Sequence, residues 1–190
     1  MSLIDIPPGH VGAVVTYLEM TERPAPAAIP PSPLRMEHWD GVEPERYRAL
    51  FRRVGGTWLW FSRLRMDDAE LQSALADVHV VRDEAGADCG LVELDFRGAG
   101  ECLIRFLALA PELAGQGHSR WLFAETLARA WAPGVKRVKV HTCSLDHPAA
   151  LPAYLRAGFV AKRRAFESFP DPRLAGLLPE TYASQVPLIR

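Results

Sequence analysis

The sequence predicts a mixed, layered α/β fold, in which helices pack on a central β-sheet. The chain has 190 residues, of which 48% are hydrophobic and 24% charged, as in an ordinary soluble globular protein. Predicted strands and amphipathic helices alternate along most of the chain, which is the pattern of a layered α/β sheet. No internal repeat is present, so we expect a single domain over 1–190 with its own hydrophobic core.

The first predicted element is a strand over 11–21, VGAVVTYLEMT, because this stretch is rich in β-branched and aromatic residues and follows a Pro-Gly turn signal. A proline-rich stretch, PAPAAIPPSP, follows at 24–33. Proline lacks a backbone donor and has a fixed φ, so this stretch predicts an extended connector of polyproline II type. Residues 1–33 are therefore expected to form an N-terminal strand and a stiff connector.

Two helices are predicted next. Apolar residues at helical spacing indicate an amphipathic helix over 43–54, which ends at Gly55 and Gly56. Asp67 and Glu70 have the three-residue spacing of a capping box, and they indicate the start of a second, shorter helix.

Three consecutive strands then form a predicted antiparallel meander. They cover 78–82, 89–97 and 101–109, where apolar residues alternate or run continuously between turn signals. The stretch 98–100, Gly-Ala-Gly, is a short hairpin loop.

The second half of the chain predicts crossover connections. A helix follows the turn LAGQGHSR, a strand covers 135–142, a further helix opens at His147, and a strand covers 159–166. Residues 170–190 form a proline-rich C-terminal extension, in which 185–189 are a candidate edge strand. A meander followed by crossovers predicts a mixed sheet.

Composition excludes several classes of function. Twenty-two Lys and Arg against 23 Asp and Glu give a formal net charge of -1, so the chain lacks the electrostatic field expected for a nucleic-acid partner. The three cysteines are widely spaced and form no zinc-type cluster, which indicates a reducing compartment and no metal. No apolar run is long enough for a membrane helix, and the N-terminus lacks the features of a signal peptide. We therefore expect a cytoplasmic protein with no membrane or nucleic-acid partner.

The strongest local signal is the junction at which the strand CLIRFLALAPE runs through LAGQGHSR into a helix. Such a turn presents unpaired backbone N–H groups and the positive end of a helix to an anion. Gly115 and Gly117 permit close approach of phosphate oxygens, and Arg120 in the first helical turn adds a cation. The junction predicts a pyrophosphate site, although a plain strand-to-helix turn would have the same pattern. It matches neither the P-loop nor the Rossmann glycine pattern.

Two motifs in this order resemble the GNAT superfamily of acyl-CoA N-acyltransferases. In the first, LALAPELAGQGHSRWLF, Gly117 keeps the middle glycine of the family pattern, while Ala114 replaces its first basic or amide residue. In the second, HPAALPAYLRAGF, Tyr154 is kept and His147 stands where asparagine is usual. The resemblance covers 34–167, and within the superfamily it points to a bacterial branch of unassigned substrate.

The resemblance implies a mostly antiparallel central sheet with helices on both faces and a V-shaped split between the parallel strands 101–109 and 135–142. Acetyl-CoA would bind in this split as co-substrate. Its pantetheine arm would bond to backbone groups of Leu107 and Leu109, with the Leu109 N–H as an oxyanion donor. The residues that would contact the rest of acetyl-CoA are Gly115, Gln116, Gly117, His118, Ser119, Arg120 and His147.

Candidate proton-transfer groups follow from the same resemblance. The phenol of Tyr154 is protonated at neutral pH and would protonate the departing thiolate, with core packing as the alternative for a tyrosine on an apolar stripe. The position of the glutamate that many family members use as a base is Leu103 here. Glu101 and Glu93 are the substitute bases, unless they form ion pairs on a solvated strand face.

The acceptor site is expected at the segment TWLWFSR, where family members usually shape it. Trp58, Trp60 and Arg63 would recognise a planar or acidic acceptor, with burial of the tryptophans in the core as the alternative. Cys143 is interpreted as a small, mostly buried side chain, with covalent chemistry as a minor alternative.

We therefore expect an acetyl-CoA-dependent N-acetyltransferase, in which a small-molecule or peptide amine attacks the thioester directly and no acyl-enzyme forms. The alternative is a non-catalytic acyl-CoA binding or sensing module, because Leu103 and Ala114 replace functional family residues. A nucleotide or phosphometabolite binder outside this family is a third hypothesis. A homodimer is compatible with the sequence.

Overall fold

The computed structural model describes residues 3–25 and 27–190. Within them, seven strands form one sheet and four α-helices accompany it. In chain order the elements are β1 His10–Met20, β2 Arg35–His38, α1 Pro44–Gly55, α2 Asp68–Ala74, β3 Asp77–Arg82, β4 Asp88–Asp95, β5 Glu101–Leu109, α3 Ser119–Ala130, β6 Arg137–Cys143, α4 Ala150–Arg156 and β7 Val160–Pro170. The prediction of a mixed α/β fold is confirmed.

The strands are hydrogen-bonded in the order β2-β3-β4-β5-β6-β1-β7. Neighbours in this sheet are antiparallel except for β5 and β6, which are parallel. β1 lies between β6 and β7. The first and the last strand of the chain are therefore neighbours at one edge of the sheet. The predicted meander of β3, β4 and β5 is present, and α3 forms the crossover from β5 to the parallel strand β6.

Helices cover both faces of the sheet and divide the core in two. On one face, here called the α1 face, α1 and α2 pack on the sheet through Tyr47, Phe51 and Leu71. On the other, the α3 face, α3 and α4 pack on it through Leu122 and Tyr154. Successive residues of a strand point to opposite faces, so β4 and β5 contribute side chains to both cores.

Helices α1 and α2 form where the local sequence signals predict them. The buried residues of α1 at helical spacing are Tyr47, Leu50, Phe51 and Val54. Pro44 occupies its first turn, where the missing N–H costs no hydrogen bond. In front of α2, the Asp67 carboxylate accepts a bond from the Glu70 N–H at 2.8 Å, and the Glu70 carboxylate accepts one from the Asp67 N–H at 3.0 Å. The predicted capping box is therefore present.

A β-bulge in β5 opens the sheet next to β6. In the ladder with β4, Arg105 is an extra residue between Ile104 and Phe106. The parallel ladder with β6 stops at the pair Ile104–Val140, immediately before the bulge. A bulge bends its strand and increases the local twist, so β5 and β6 diverge beyond this point. The Arg105 guanidinium donates to the buried Asp95 carboxylate at 2.6 Å, which holds the bulge residue in place.

The expectation of an edge strand over 185–189 is wrong. This stretch has no strand geometry, although the Gly9 N–H donates to the Ile189 carbonyl at 3.0 Å. Pro187 cannot donate to a ladder, which opposes strand formation. The C-terminal extension instead packs on the α1 face, where Leu178 is buried in the core.

No sequence signal predicted β2, the four-residue strand that pairs with β3 at the edge of the sheet. In the proline-rich connector, 27–33 have irregular structure, whereas Pro26 lies outside the described residues, as do Met1 and Ser2. The final strand, β7, continues to Pro170, beyond its predicted end at 166.

Asp67→Ala should weaken the fold by removing the side-chain cap of α2. We expect the free energy of unfolding to fall by about 1 kcal/mol, which lowers the melting temperature by about 2 to 4 °C in a domain of this size. Asp67→Ser keeps a capping oxygen and should melt close to the wild type. Thermal scans by circular dichroism measure both variants, and equal losses would contradict a role for the cap.

Candidate functional site

A cavity of about 740 Å³ passes through the split between β5 and β6. Its walls come from the diverging ends of both strands, the turn before α3, the first residues of α3, the helix α4 and the segment after α1. On the α3 face it is bounded by Leu122 and Tyr154, and on the α1 face by Trp60, Phe106 and His141. The cavity therefore connects the two faces of the sheet.

The backbone of β5 presents hydrogen-bonding groups to this cavity. The Ala110 N–H donates to the carbonyl of Cys89 in β4 at 2.8 Å. In an antiparallel ladder, alternate residues direct their backbone groups to opposite sides, so Leu109 and Leu107 direct theirs away from β4. β6 has diverged at this level, and both residues line the cavity. The sequence-based prediction places the pantetheine arm on this backbone edge.

The turn between β5 and α3 has open glycines at the end of the cavity. Gly115 and Gly117 have φ angles of 77° and 86°, a region that other residues rarely adopt, and no atom lies within 4 Å of a Cβ built at either position. Both glycines line the cavity. α3 begins at Ser119, and the N–H groups of its first turn have no acceptor within the helix. An anion can therefore approach the backbone N–H groups of this turn closely.

The predicted phosphate-binding residues of this turn divide into two groups. His118 and Ser119 line the cavity, whereas Gln116 and Arg120 do not. The Gln116 amide donates to a backbone carbonyl within the turn at 2.7 Å. Arg156 of α4 also lines the cavity and adds a cation that the sequence analysis missed. The sequence signal that could have identified Arg156 is its position two residues after Tyr154.

Tyr154 lies on α4 and closes the cavity on the α3 face. Its ring packs edge-on against Phe123 and Phe159, with centroid distances of 5.2 and 5.7 Å, and 7% of the residue is exposed. Burial raises the pKa of the phenol well above its ordinary value, and the Asp146 carboxylate adds to this shift. The phenol is therefore protonated throughout the neutral pH range.

Aromatic side chains and a carboxylate line the end of the cavity next to the segment after α1. The Trp60 indole N–H donates to the Asp146 carboxylate at 3.0 Å, and the Thr142 hydroxyl donates to the same group at 2.7 Å. Trp58 packs edge-on against His147, with ring centroids 5.3 Å apart. Both predicted tryptophans therefore border the cavity. Asp146, which the sequence analysis missed, fixes the orientation of Trp60.

The aromatic wall of the cavity consists of Trp58, Trp60 and Phe106. Arg63 and Glu93 form a buried ion pair beneath this wall. Glu93 is 0% exposed and Arg63 is 5% exposed. One Glu93 oxygen accepts a bond from Arg63 at 2.5 Å, and the other accepts one from the Tyr47 hydroxyl at 2.8 Å. The guanidinium lies 5.4 Å from the centroid of the Phe106 ring. Both oxygens of Glu93 are engaged, and neither Arg63 nor Glu93 is a cavity residue.

Glu101 lies at the start of β5, before the split. Its carboxylate accepts a bond from Lys139 at 2.5 Å, and Arg137 is 3.6 Å away. The hydrogen bond from Lys139 lowers the pKa of Glu101 and keeps it ionised. The structure therefore brings neither Glu101 nor Glu93 into the cavity.

Two further side chains of β6 differ in their access to the cavity. His141 borders it, directly beyond the end of the parallel ladder at Val140. Cys143 is half-buried and lies outside the walls of this cavity. Burial raises the pKa of the Cys143 thiol to about 11, so the reactive thiolate is scarce at neutral pH.

The family model for the "Acetyltransferase (GNAT) family" matches residues 39–159. This range is more than half of the chain and contains both motifs on which the resemblance rests. The chain therefore belongs to the GNAT acetyltransferase family, whose members transfer acyl groups from acyl-CoA to amines. No curated protein matches the chain.

Solved structures share the fold at low sequence identity. A GCN5-related N-acetyltransferase from Sphaerobacter thermophilus has a TM-score of 0.61 and 16% identity, over 86% of this chain and 52% of that one. A GNAT-family acetyltransferase from Novosphingobium aromaticivorans DSM 12444 has a TM-score of 0.57 and 17% identity, over 87% and 68%. Spermidine N-acetyltransferase from Vibrio cholerae, in complex with CoA and spermine, has a TM-score of 0.55 and 20% identity, over 69% and 83%. This chain thus spans about half the length of the first.

In residues 3–25 and 27–190, no group of three or more His, Cys, Asp or Glu side chains is arranged to hold a metal ion. Nor does this part of the chain contain a helix that is long and apolar enough to cross a membrane.

Glu93→Gln tests the structural role of the buried ion pair. The amide keeps the shape but leaves the Arg63 charge uncompensated, so we expect the free energy of unfolding to fall by about 3 to 5 kcal/mol. The melting temperature should then fall by about 6 to 20 °C. The matched control, Glu101→Gln, disrupts an ion pair that is only partly buried and should melt much closer to the wild type. If Glu93→Gln kept the wild-type melting temperature and lost only turnover, Glu93 would instead be a base.

Proposed function

We propose that this protein is an N-acetyltransferase that transfers an acetyl group from acetyl-CoA to a primary amine by direct attack. The observation that carries the proposal is the cavity through the split, which has the β5 backbone at its centre and the glycine turn at one end. This arrangement suits a thioester substrate with an amide-containing arm, which can pair with a strand edge, and with phosphates, which need N–H donors.

The β5 edge supports binding and activation of the thioester. The Leu107 backbone would pair with the amides of the pantetheine arm as a strand edge pairs with an extended chain. The Leu109 N–H would donate to the thioester oxygen and stabilise the negative charge that forms there when the amine attacks. Both roles depend on backbone geometry, so they do not require particular side chains.

The glycine turn supports pyrophosphate binding. The open backbone at Gly115 and Gly117 and the first N–H groups of α3 would donate to phosphate oxygens. Replacement of the family's basic or amide residue by Ala114 removes a side chain but no backbone donor. Arg156, which lines the cavity from α4, would add positive charge, and a contact of Arg120 with the phosphates stays a prediction.

Tyr154 and Cys143 support direct attack. The protonated phenol of Tyr154 faces the cavity on the α3 face, where the sulfur of the bound thioester would leave as a thiolate and take its proton. The Cys143 thiol has a raised pKa and lies away from this cavity. An acyl-cysteine intermediate therefore has no support.

The acceptor is proposed to be a primary amine on an apolar or aromatic group. Trp58, Trp60 and Phe106 border the cavity with aromatic surface, and the Asp146 carboxylate would attract an ammonium group. Arg63 is buried against Glu93, so it does not support recognition of an acidic acceptor. The Vibrio cholerae neighbour makes polyamines the natural comparison, and a peptide amine is the other alternative.

We also propose that the protein works in the cytoplasm as a single domain. Free Cys89 and Cys102, both buried, suit a reducing compartment. Packing of Leu178 into the core on the α1 face supports one folding unit that includes the C-terminal extension. A homodimer stays a prediction.

A non-catalytic acyl-CoA binding or sensing module is the second candidate. The ion pairs that occupy Glu93 and Glu101 favour it, because neither carboxylate is then available as a base. Such a module would bind acetyl-CoA and release no CoA in the presence of any amine.

Acetyl-CoA should raise the melting temperature. Saturation at 100 times Kd adds about 2.7 kcal/mol, or about 5 to 11 °C for a domain of this size. Thermal scans with acetyl-CoA, CoA and ATP, followed by assay of CoA release with tryptamine, spermidine and a short peptide, test binding and turnover. A shift with ATP alone would favour the nucleotide binder. A shift with acetyl-CoA but no turnover would favour the sensing module.

Tyr154→Phe should lower kcat by about 10²-fold or more, with the thermal shift by acetyl-CoA nearly unchanged, because a proton donor acts in the transition state. Initial rates with both substrates varied should give intersecting double-reciprocal plots. Parallel plots, or an acetyl group found on Cys143 by mass spectrometry, would contradict direct attack. Unchanged kcat would remove Tyr154 from the mechanism.

A further inference from the structure

We propose that His141 is the general base that removes a proton from the acceptor amine, in place of the glutamate that Leu103 replaces. This inference rests on the proposed acetyltransferase function and adds a catalytic residue to it. It follows from the position of His141 at the split, from its neighbours and from the ion pairs that occupy the alternative bases.

His141 lies on the face of the split at which we propose that the acceptor amine binds. β6 leaves the parallel ladder after Val140, so His141 is the first residue of β6 beyond the ladder, and it lines the cavity. Val140 belongs to the core of the α3 face, and the next residue along a strand points the opposite way. His141 therefore lies on the α1 face with Trp60, while Tyr154 lies on the α3 face. The two proton-transfer groups flank the split from opposite sides.

The other candidate bases are engaged elsewhere. Glu93 is bound to Arg63 and Tyr47, and Glu101 is bound to Lys139. The Asp146 carboxylate accepts bonds from three donors, including the Trp60 indole and the Thr142 hydroxyl. Two other histidines line the cavity. His147 accepts a bond from the Ala149 N–H at 3.0 Å through Nδ1, and His118 belongs to the glycine turn at the proposed phosphate end, away from the amine. These interactions leave His141 as the cavity residue suited to accept a proton.

The ring nitrogens of His141 are open to the cavity. Within the described part of the chain, no side chain or backbone group hydrogen-bonds to them, although the ring lies 5.8 Å from that of Tyr17, centroid to centroid. The titratable or charged residues that face His141 are Tyr17 of β1, Arg105 of β5, Cys143 of β6, Asp146 of the following loop, and Arg163 and Glu167 of β7. A lone pair on the ring can therefore reach a ligand in the cavity.

The environment of His141 favours the neutral form of its imidazole, although the residue is exposed. The surrounding protein desolvates the imidazole and lowers its pKa, and Arg105 acts in the same direction. The carboxylates of Asp146 and Glu167 oppose this shift but do not reverse it. A histidine with a pKa below its ordinary value is largely deprotonated at neutral pH and can act as a base without prior loss of a proton.

The proposed step balances in protons and bonds. The acceptor enters as an ammonium ion and gives one proton to His141. The neutral amine then attacks the carbonyl carbon, a C–N bond forms and the C–S bond breaks. The thiolate takes the Tyr154 proton, and the second proton lost from nitrogen returns through water to the Tyr154 oxygen. His141 releases its proton to solvent, so the products are an amide, the CoA thiol and one proton.

His141→Gln tests the proposal, with His10→Gln as the matched control on β1. His10 hydrogen-bonds to the Pro8 carbonyl, outside the cavity. The probe acceptor is ethylamine, which is small enough to reach the thioester without recognition by the aromatic wall, and CoA release is followed across pH 5 to 9. The wild type and His10→Gln should show a rise in kcat with a midpoint below about 6.5. His141→Gln should lose this rise and about 10²-fold of kcat at neutral pH, with the thermal shift by acetyl-CoA kept.

A second variant separates a base from a residue that only shapes the cavity. His141→Ala should be rescued by imidazole in the buffer, because the added base can occupy the vacated space. An unchanged pH profile in His141→Gln, or no rescue of His141→Ala, would overturn the role of His141 while leaving the acetyltransferase function intact. If the wild type released no CoA with ethylamine or any other amine, the proposed function itself would fail, and with it this inference.

Discussion

The divergence of β5 from β6 at Arg105 is the constraint on which the rest of the structure depends. One extra residue in β5 ends the parallel ladder after Ile104 and Val140. The backbone groups of the next residues then have no strand partner on that side, and such groups need another partner when they are buried. The buried Asp95 carboxylate binds the bulge residue, and bonds from Arg97 and Arg105 hold its pKa well below the usual range. The open edge is thus a stable feature of the fold.

The split also divides the chemistry between the two faces of the sheet. The α3 face has the helix N-terminus and the protonated Tyr154, which suit the anionic end and the leaving group of a thioester. The α1 face has His141, Asp146 and the aromatic wall, which suit an amine. The buried pair of Arg63 and Glu93 lies under Phe106 in this wall. Burial of the Arg63–Glu93 pair adds little net stability, because both charges lose their hydration. Its main contribution is to hold the Phe106 ring in place.

The sequence predicted those parts of the fold that local signals determine. The spacing of apolar residues placed α1, and Asp67 with Glu70 placed the start of α2. β2 was missed because four residues at a sheet edge contain too little pattern. The stretch 185–189 was assigned to a strand because it contains apolar residues, but Val186 is used for packing on the α1 face and not for a ladder. Apolar character alone does not distinguish these two uses.

By itself, the sequence determined the family, the glycine turn before α3 and the helix that presents Tyr154, because these depend on backbone angles and helix spacing within short segments. Only the tertiary structure decided which charged or titratable side chains are free. Glu93 meets Arg63 across 30 residues of sequence, and Glu101 meets Lys139 across 38. His141 enters the cavity because β5 bends away from it. The charge state of a group depends on burial and on neighbours in space, and these neighbours come from segments that are far apart along the chain.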